Sequence, residues 1–231
     1  MRRLGDEFRI ISLDLPGHGL TRTTNTELIG IDGFVSVIDQ LADELDADTF
    51  TLAGNSMGGN TAWNYALEHS DRLDGMILIA ASGWARSADG EDDQPLIFKL
   101  IGNPVARTLI KDLDLSALVK SALLSLSTGG EGRGGASADL MATIDVPTLV
   151  IHGDQDAVVP PSGGERFAET IPGATLMTME NVGHLPQEEA ATETAARVRA
   201  FVQKHQSEPE AAAPTRMVAQ EAVTAGNGSR P

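Results

Sequence analysis

The feature that most narrows what this chain can fold into is a glycine-flanked serine, Gly54-Asn55-Ser56-Met57-Gly58. It stands between the apolar run Thr49-Phe50-Thr51-Leu52-Ala53 and a helical segment expected from Asn60 to Glu68. A strand that turns into a helix within so few residues leaves little space. Side chains two positions either side of the serine are expected to collide with the neighbouring strand and helix, which is why glycine stands there. The turn also aims the helix N-terminus, with its unpaired N–H groups and positive dipole end, at negative charge developing beside the serine. Ser56 is therefore a candidate nucleophile.

The rest of the chain has the alternation that such a unit needs. Phe8–Leu13 reads as a buried strand that ends in the turn-rich Asp14-Leu15-Pro16-Gly17-His18-Gly19. Residues 33–46 space Phe34, Val37, Ile38, Leu41 and Leu45 at helical intervals. Further strands are predicted at Met76–Ala80, Thr148–Ile151 and Ala174–Thr178, and a last helix from about Pro186 to Lys204. Short continuous apolar strands alternating with helices imply an α/β fold, a mostly parallel sheet with helices on both faces. Residues 81–146 interrupt the pattern. Their middle, Leu96–Ile101 through Leu124, reads as helical and apolar, and Ser127–Gly135 as a glycine-rich flexible stretch. The expected organisation is a core in two parts, 1–80 and 147–205, an insertion over 81–146, and a tail over 206–231 with too little apolar surface to order.

Composition removes several functions. The chain of 231 residues carries a formal net charge of −16, which opposes binding to nucleic acid or an anionic membrane surface. It has no cysteine, so disulfides, cysteine nucleophiles and thiolate metal sites are ruled out. No metal-ligand or phosphate-loop spacing occurs, and neither metal nor organic cofactor is expected. No apolar run reaches membrane-spanning length and no signal peptide opens the sequence, so the expected location is cytoplasmic.

A serine hydroxyl needs a base, and the base an orienting acid. Of the five histidines, His69 lies on the helix after Ser56, His205 borders the tail, His18 sits in its glycine-rich turn and His152 ends a strand. All four suit structural or surface roles. His184, in Asn181-Val182-Gly183-His184-Leu185-Pro186, lies in a loop after the last strand. Functional groups in parallel sheets gather at the carboxyl ends of the strands, so this loop shares an edge with Ser56. For the acid, Gly153-Asp154-Gln155-Asp156 follows the fourth predicted strand and offers two carboxylates that the pattern alone does not separate.

Taken in order, Asp14–Gly19, Gly54-Asn-Ser-Met-Gly-Gly59, Gly153–Asp156 with Pro160, and Gly183-His184 resemble the α/β-hydrolase superfamily over roughly residues 8–205. The resemblance implies a Ser56–Asp156–His184 triad with Asp156 as the acid, the backbone N–H of Met57 in the oxyanion hole, and a helical cap over 81–146. It also implies strands and a His-Gly motif ahead of Phe8–Leu13 that this sequence does not include, so a weakened oxyanion hole is expected. The implied activity is a carboxylesterase-like serine hydrolase acting on a small to medium apolar ester, with Trp84, Val158 and Leu185 as candidate pocket residues. The Gly-Asn-Ser-Met-Gly-Gly form is also similar to hydrolases that cleave diketone ring-fission products at a carbon–carbon bond. A non-catalytic member that only binds a ligand or partner is the third reading. Oligomeric state is not legible.

Overall fold

The computed structural model describes residues 3–84 and 135–206. The expected cap middle, most of the glycine-rich stretch and all but the first residue of the expected tail lie outside them.

The described elements are α1 (Ile31–Glu44), β1 (Phe50–Asn55), α2 (Met57–Glu68), β2 (Leu73–Ile79), α3 (Ala138–Met141), β3 (Thr148–Gly153), α4 (Pro161–Thr170), β4 (Thr175–Met179), α5 (Pro186–Glu189) and α6 (Ala191–His205). The four strands form one sheet in the order β1-β2-β3-β4, and every pairing is parallel. All four therefore end on one edge, and the loops leaving that edge carry the candidate chemistry.

Strand periodicity divides the core in two. Met76, Leu78 and Val150 face one layer with Ala62, Trp63, Tyr65 and Ala66 of α2 and Phe167 of α4. Their neighbours Ile77, Ile79, Leu149 and Ile151 face the other layer, with Met179 and with Phe201 of α6. A strand buried on both faces cannot alternate apolar with polar residues, which explains the continuous apolar runs. At Gly75 the second layer comes so close that an added Cβ would lie 2.8 Å from the Phe201 ring.

Two expectations need correction. Phe8–Leu13 forms no strand, and half of Ile11 is exposed. A strand exists only where a neighbour takes its N–H and C=O groups. β1 is hydrogen-bonded to β2 alone among the described residues, and the segment 9–15 runs unpaired. The predicted last helix is broken at Ala190 (φ −129°, ψ 47°), which separates α5 from α6. At the boundaries of the insertion, Ala81, Ala136, Met141, Ile144 and Val146 are buried in the first core layer. Trp84 and Ala136 form a parallel bridge, so the chain leaves and re-enters the core at one point.

Candidate active site

Ser56 has φ 54° and ψ −113°, a left-handed conformation costing a non-glycine residue roughly 1–3 kcal/mol. The surroundings impose it. The Ser56 N–H donates to the Ile79 carbonyl at 2.9 Å, and the Ser56 carbonyl accepts the N–H groups of Asn60 and Ser82, each at 3.1 Å. The side chain is thereby presented where β1 meets α2. The glycine requirement differs from the one expected. An added Cβ at Gly54 would lie 2.1 Å from the Gly58 carbonyl carbon, and one at Gly59 2.5 Å from Ala81 Cβ, whereas one at Gly58 meets no described atom within 4 Å. Gly54 and Gly59 make the close approach; Gly58 contributes its backbone.

From the loop after β4, His184 Nδ1 lies 2.8 Å from Asp156 Oδ2, in the loop after β3. Nδ1 thus carries the proton and donates it to the carboxylate, leaving Nε2 as the acceptor. Asp156 Oδ1 accepts the N–H groups of Val158 at 2.8 Å and Val159 at 2.9 Å. His152 Nε2 lies 3.2 Å from Oδ2. Burial by itself pushes the Asp156 carboxyl up. The donors from His152, His184, Val159 and Val158 outweigh it and hold the group well below the usual carboxylate range. The other candidate acid is placed differently: Asp154 is exposed and its Oδ1 accepts the Asn181 N–H at 2.7 Å. Tertiary geometry puts Asp156, not Asp154, beside His184.

Three residues to which the sequence assigned no role at the site hold this arrangement. The Asn55 side-chain amide donates to the carbonyls of Ile79 and His184, each at 3.1 Å. Glu189 grips the amides on both sides of His184, accepting Gly183 N–H at 2.8 Å and Leu185 N–H at 3.0 Å. Those two amides, Gly183 first, lower the Glu189 carboxyl. His152, 1% exposed, brings its Nε2 to within 3.2 Å of Asp156 Oδ2. Asn55 stands in the Gly-Asn-Ser-Met-Gly-Gly motif and His152 four residues before Asp156, while Glu189 is a carboxylate shortly after the glycine–histidine loop.

The remaining candidates fall as follows. Met57 opens α2. Ser56 Oγ makes no hydrogen bond with His184 among the described residues, and such bonds commonly tighten only with substrate. Trp84 is engaged with α4: its Nε1 donates to the Gly163 carbonyl at 3.1 Å, its ring packs on Phe167 at 4.9 Å, and Arg166 lies over it at 4.4 Å. Val158 is half-buried, and Leu185, 42% exposed, borders His184 on the solvent side. His69 stacks on Tyr65 and His205 packs on Phe201. Among the described residues no group of His, Asp and Glu side chains is arranged to hold a metal ion, and no helix is long and apolar enough to cross a membrane.

A sequence model of the alpha/beta hydrolase family matches residues 1–197. The dihydrolipoyllysine-residue acetyltransferase component of the acetoin cleaving system of Pseudomonas putida is 29% identical over 224 residues, which cover 87% of this chain and 58% of that protein. This chain thus spans little more than half the length of that relative. The pimeloyl-[acyl-carrier protein] methyl ester esterase of Neisseria meningitidis is 28% identical over 229 residues, covering 88% of this chain and 86% of that enzyme. Among solved structures, a meta-cleavage product hydrolase of Pseudomonas fluorescens superposes with a TM-score of 0.68 at 26% identity, covering 88% of this chain and 82% of the other. An esterase of Thermogutta terrifontis superposes at 0.67 and 24% identity, over 89% and 84%. The latter likeness is one of fold alone.

Proposed function

The chain belongs to the alpha/beta hydrolase family, and from that premise we propose that it is a hydrolase that cleaves a carboxylic ester of a small to medium apolar substrate through an acyl-enzyme on Ser56. The observation that carries the reading is the pairing of a serine forced to φ 54° at the mouth of β1 with a hydrogen-bonded His184–Asp156 pair at the same sheet edge. Relatives that carry esterase and lipase names support the bond type.

In this reaction Ser56 Oγ attacks the acyl carbonyl carbon while its proton passes to His184 Nε2. Asp156 holds the imidazole by Nδ1–H and balances the imidazolium charge, without itself taking the proton. The tetrahedral oxyanion receives the N–H of Met57 at the start of α2, where the helix dipole favours negative charge. Collapse breaks the ester C–O bond, and the alcohol leaves with the proton from His184. Water, deprotonated by His184, then attacks the acyl-enzyme and releases the acid, restoring Ser56–OH.

The likeness to a meta-cleavage product hydrolase at 26% identity gives carbon–carbon hydrolysis as a second reading, with the same three residues. A fluorophosphonate probe tests both, because it labels a reactive serine whatever bond it cleaves. We expect labelling of wild type and none of Ser56→Ala; an unlabelled wild type would leave only a binding role. Turnover of p-nitrophenyl acetate, butyrate and octanoate against a vinylogous diketone then separates ester from carbon–carbon cleavage.

A further inference from the structure

His152 is a buried ionisable side chain that the proposed reaction does not use. It is the fifth residue of β3, four positions before Asp156. Its Nε2 lies 3.0 Å from the Val159 carbonyl oxygen and 3.2 Å from Asp156 Oδ2. Both neighbours are acceptors, so Nε2 carries the ring proton. The N–H makes its hydrogen bond to Val159 and lies alongside the carboxylate oxygen. Nδ1 is buried without a partner among the described residues. Gly164 of α4 presses against it, so close that an added Cβ would be 2.6 Å away.

A side chain there only to fill the core would be better apolar, since one of its two polar atoms goes unpaired. What the imidazole supplies, and an apolar residue could not, is the N–H at Val159 and Asp156. That N–H fastens the loop carrying Asp156 to β3. It also places a second ring on the oxygen that receives His184 Nδ1–H at 2.8 Å. Oδ1 is meanwhile fixed by the two amides of Val158 and Val159.

We infer that His152 is a positioning residue, a second histidine on the acid, whose Nε2–H holds Asp156 Oδ2 in line with His184. The inference rests on the reading of Ser56, Asp156 and His184 as the reacting unit. The other ionisable groups on the loops and short helices around the cluster are Asp154, Glu165, Arg166, Glu169, Glu180, Glu188 and Glu189, all exposed, and Asp74 lies at the opposite end of β2. Among these groups Asp156 is the buried carboxylate, so the nearby N–H acts on it with little solvent screening.

The test compares His152→Leu, which removes the donor, with His152→Gln, whose amide nitrogen can stand where Nε2 stands. Should His152→Leu fail to fold, His152→Asn, one bond too short to reach Oδ2, replaces it. Without the donor, Oδ2 carries more negative charge towards His184 and is less firmly aimed. We expect kcat to fall about tenfold with KM little changed, and the acid limb of the kcat/KM profile to move to higher pH; His152→Gln restores both. Loss of kcat without movement of the limb, or no rescue by Gln, would reduce His152 to a structural residue. A carboxyl 13C NMR titration reads the same relation without turnover. Asp156 should protonate at higher pH in the Leu variant than in wild type, and an unmoved midpoint overturns the inference even if the chain hydrolyses no ester. A wild type that neither labels nor turns over, but whose Asp156 midpoint does move, would instead sink the ester reading alone.

Discussion

The side-chain amide of Asn55 reaches the backbone carbonyl of His184 at 3.1 Å, across 129 residues of sequence. The residue before the candidate nucleophile is thus bonded directly to the candidate base. The same amide also holds the Ile79 carbonyl, which accepts Ser56 N–H as well. Serine and histidine are therefore located by one shared set of hydrogen bonds, independent of any contact between their own side chains.

Replacing Ser56 by alanine should abolish fluorophosphonate labelling and lower kcat by about 10⁴-fold or more, with the far-UV circular dichroism unchanged. The φ of 54° is already imposed on a residue with a Cβ, so alanine adds no new strain.

Asp156→Asn should lower kcat by roughly 10³- to 10⁴-fold with KM nearly unaltered, because the amide no longer fixes the tautomer that donates from Nδ1. The companion change Asp154→Asn should stay within about threefold of wild type, since that side chain caps only the Asn181 amide.

Acid stability should separate the same variants. The Asp156 carboxyl is held below its ordinary value of 3.8 in the folded chain. Its contribution to stability is present above that value and is lost as the pH falls through the lower folded one. Differential scanning calorimetry should show the melting temperature of wild type dropping more steeply than that of Asp156→Asn below about pH 4. Parallel curves would show that the carboxylate is not stabilised by its four donors.

Glu189→Ala should loosen the His184 loop while leaving the core intact. The amides of Gly183 and Leu185 lose their acceptor, so their hydrogen exchange should quicken. A misplaced base should lower kcat by about ten- to a hundredfold. Unchanged exchange at both amides would exclude the clamp.

The two glycines flanking Ser56 should behave unequally. Gly54→Ala drives a Cβ to within 2.1 Å of the Gly58 backbone and should cost about 3 kcal/mol or more by urea denaturation, as overpacking against an immovable backbone does. Gly58→Ala enters space that no described atom occupies and should be neutral or stabilising by up to about 1 kcal/mol, the gain in helix propensity.

Periodicity and turn chemistry made the local units legible. The strands at Phe50–Asn55, Leu73–Ile79, Thr148–Gly153 and Thr175–Met179 lie within a few residues of their predicted runs. The two inner strands, Leu73–Ile79 and Thr148–Gly153, are buried on both faces of the parallel sheet, and such burial writes itself into sequence as unbroken apolar stretches. Phe8–Leu13 is a similar apolar run and has no strand partner among the described residues. Apolar character marks a segment fit to pair, and only a neighbouring edge makes it a strand.

The sequence by itself determined the strand-and-helix alternation, the serine in its strand–helix turn, and the placement of Ser56, the two aspartates and His184 in loops at the carboxyl edge. Those properties depend on neighbours a few residues away. The tertiary structure decided which aspartate meets His184, which glycines make the close approach, and that Asn55, Glu189 and His152 converge on the same few atoms. Each of those contacts joins residues from separate elements, and its distance is set by how two helical layers pack on one twisted sheet. That packing moved the glycine requirement from Gly58 to Gly59, where Ala81 comes within reach of a Cβ only once β2 lies beside α2.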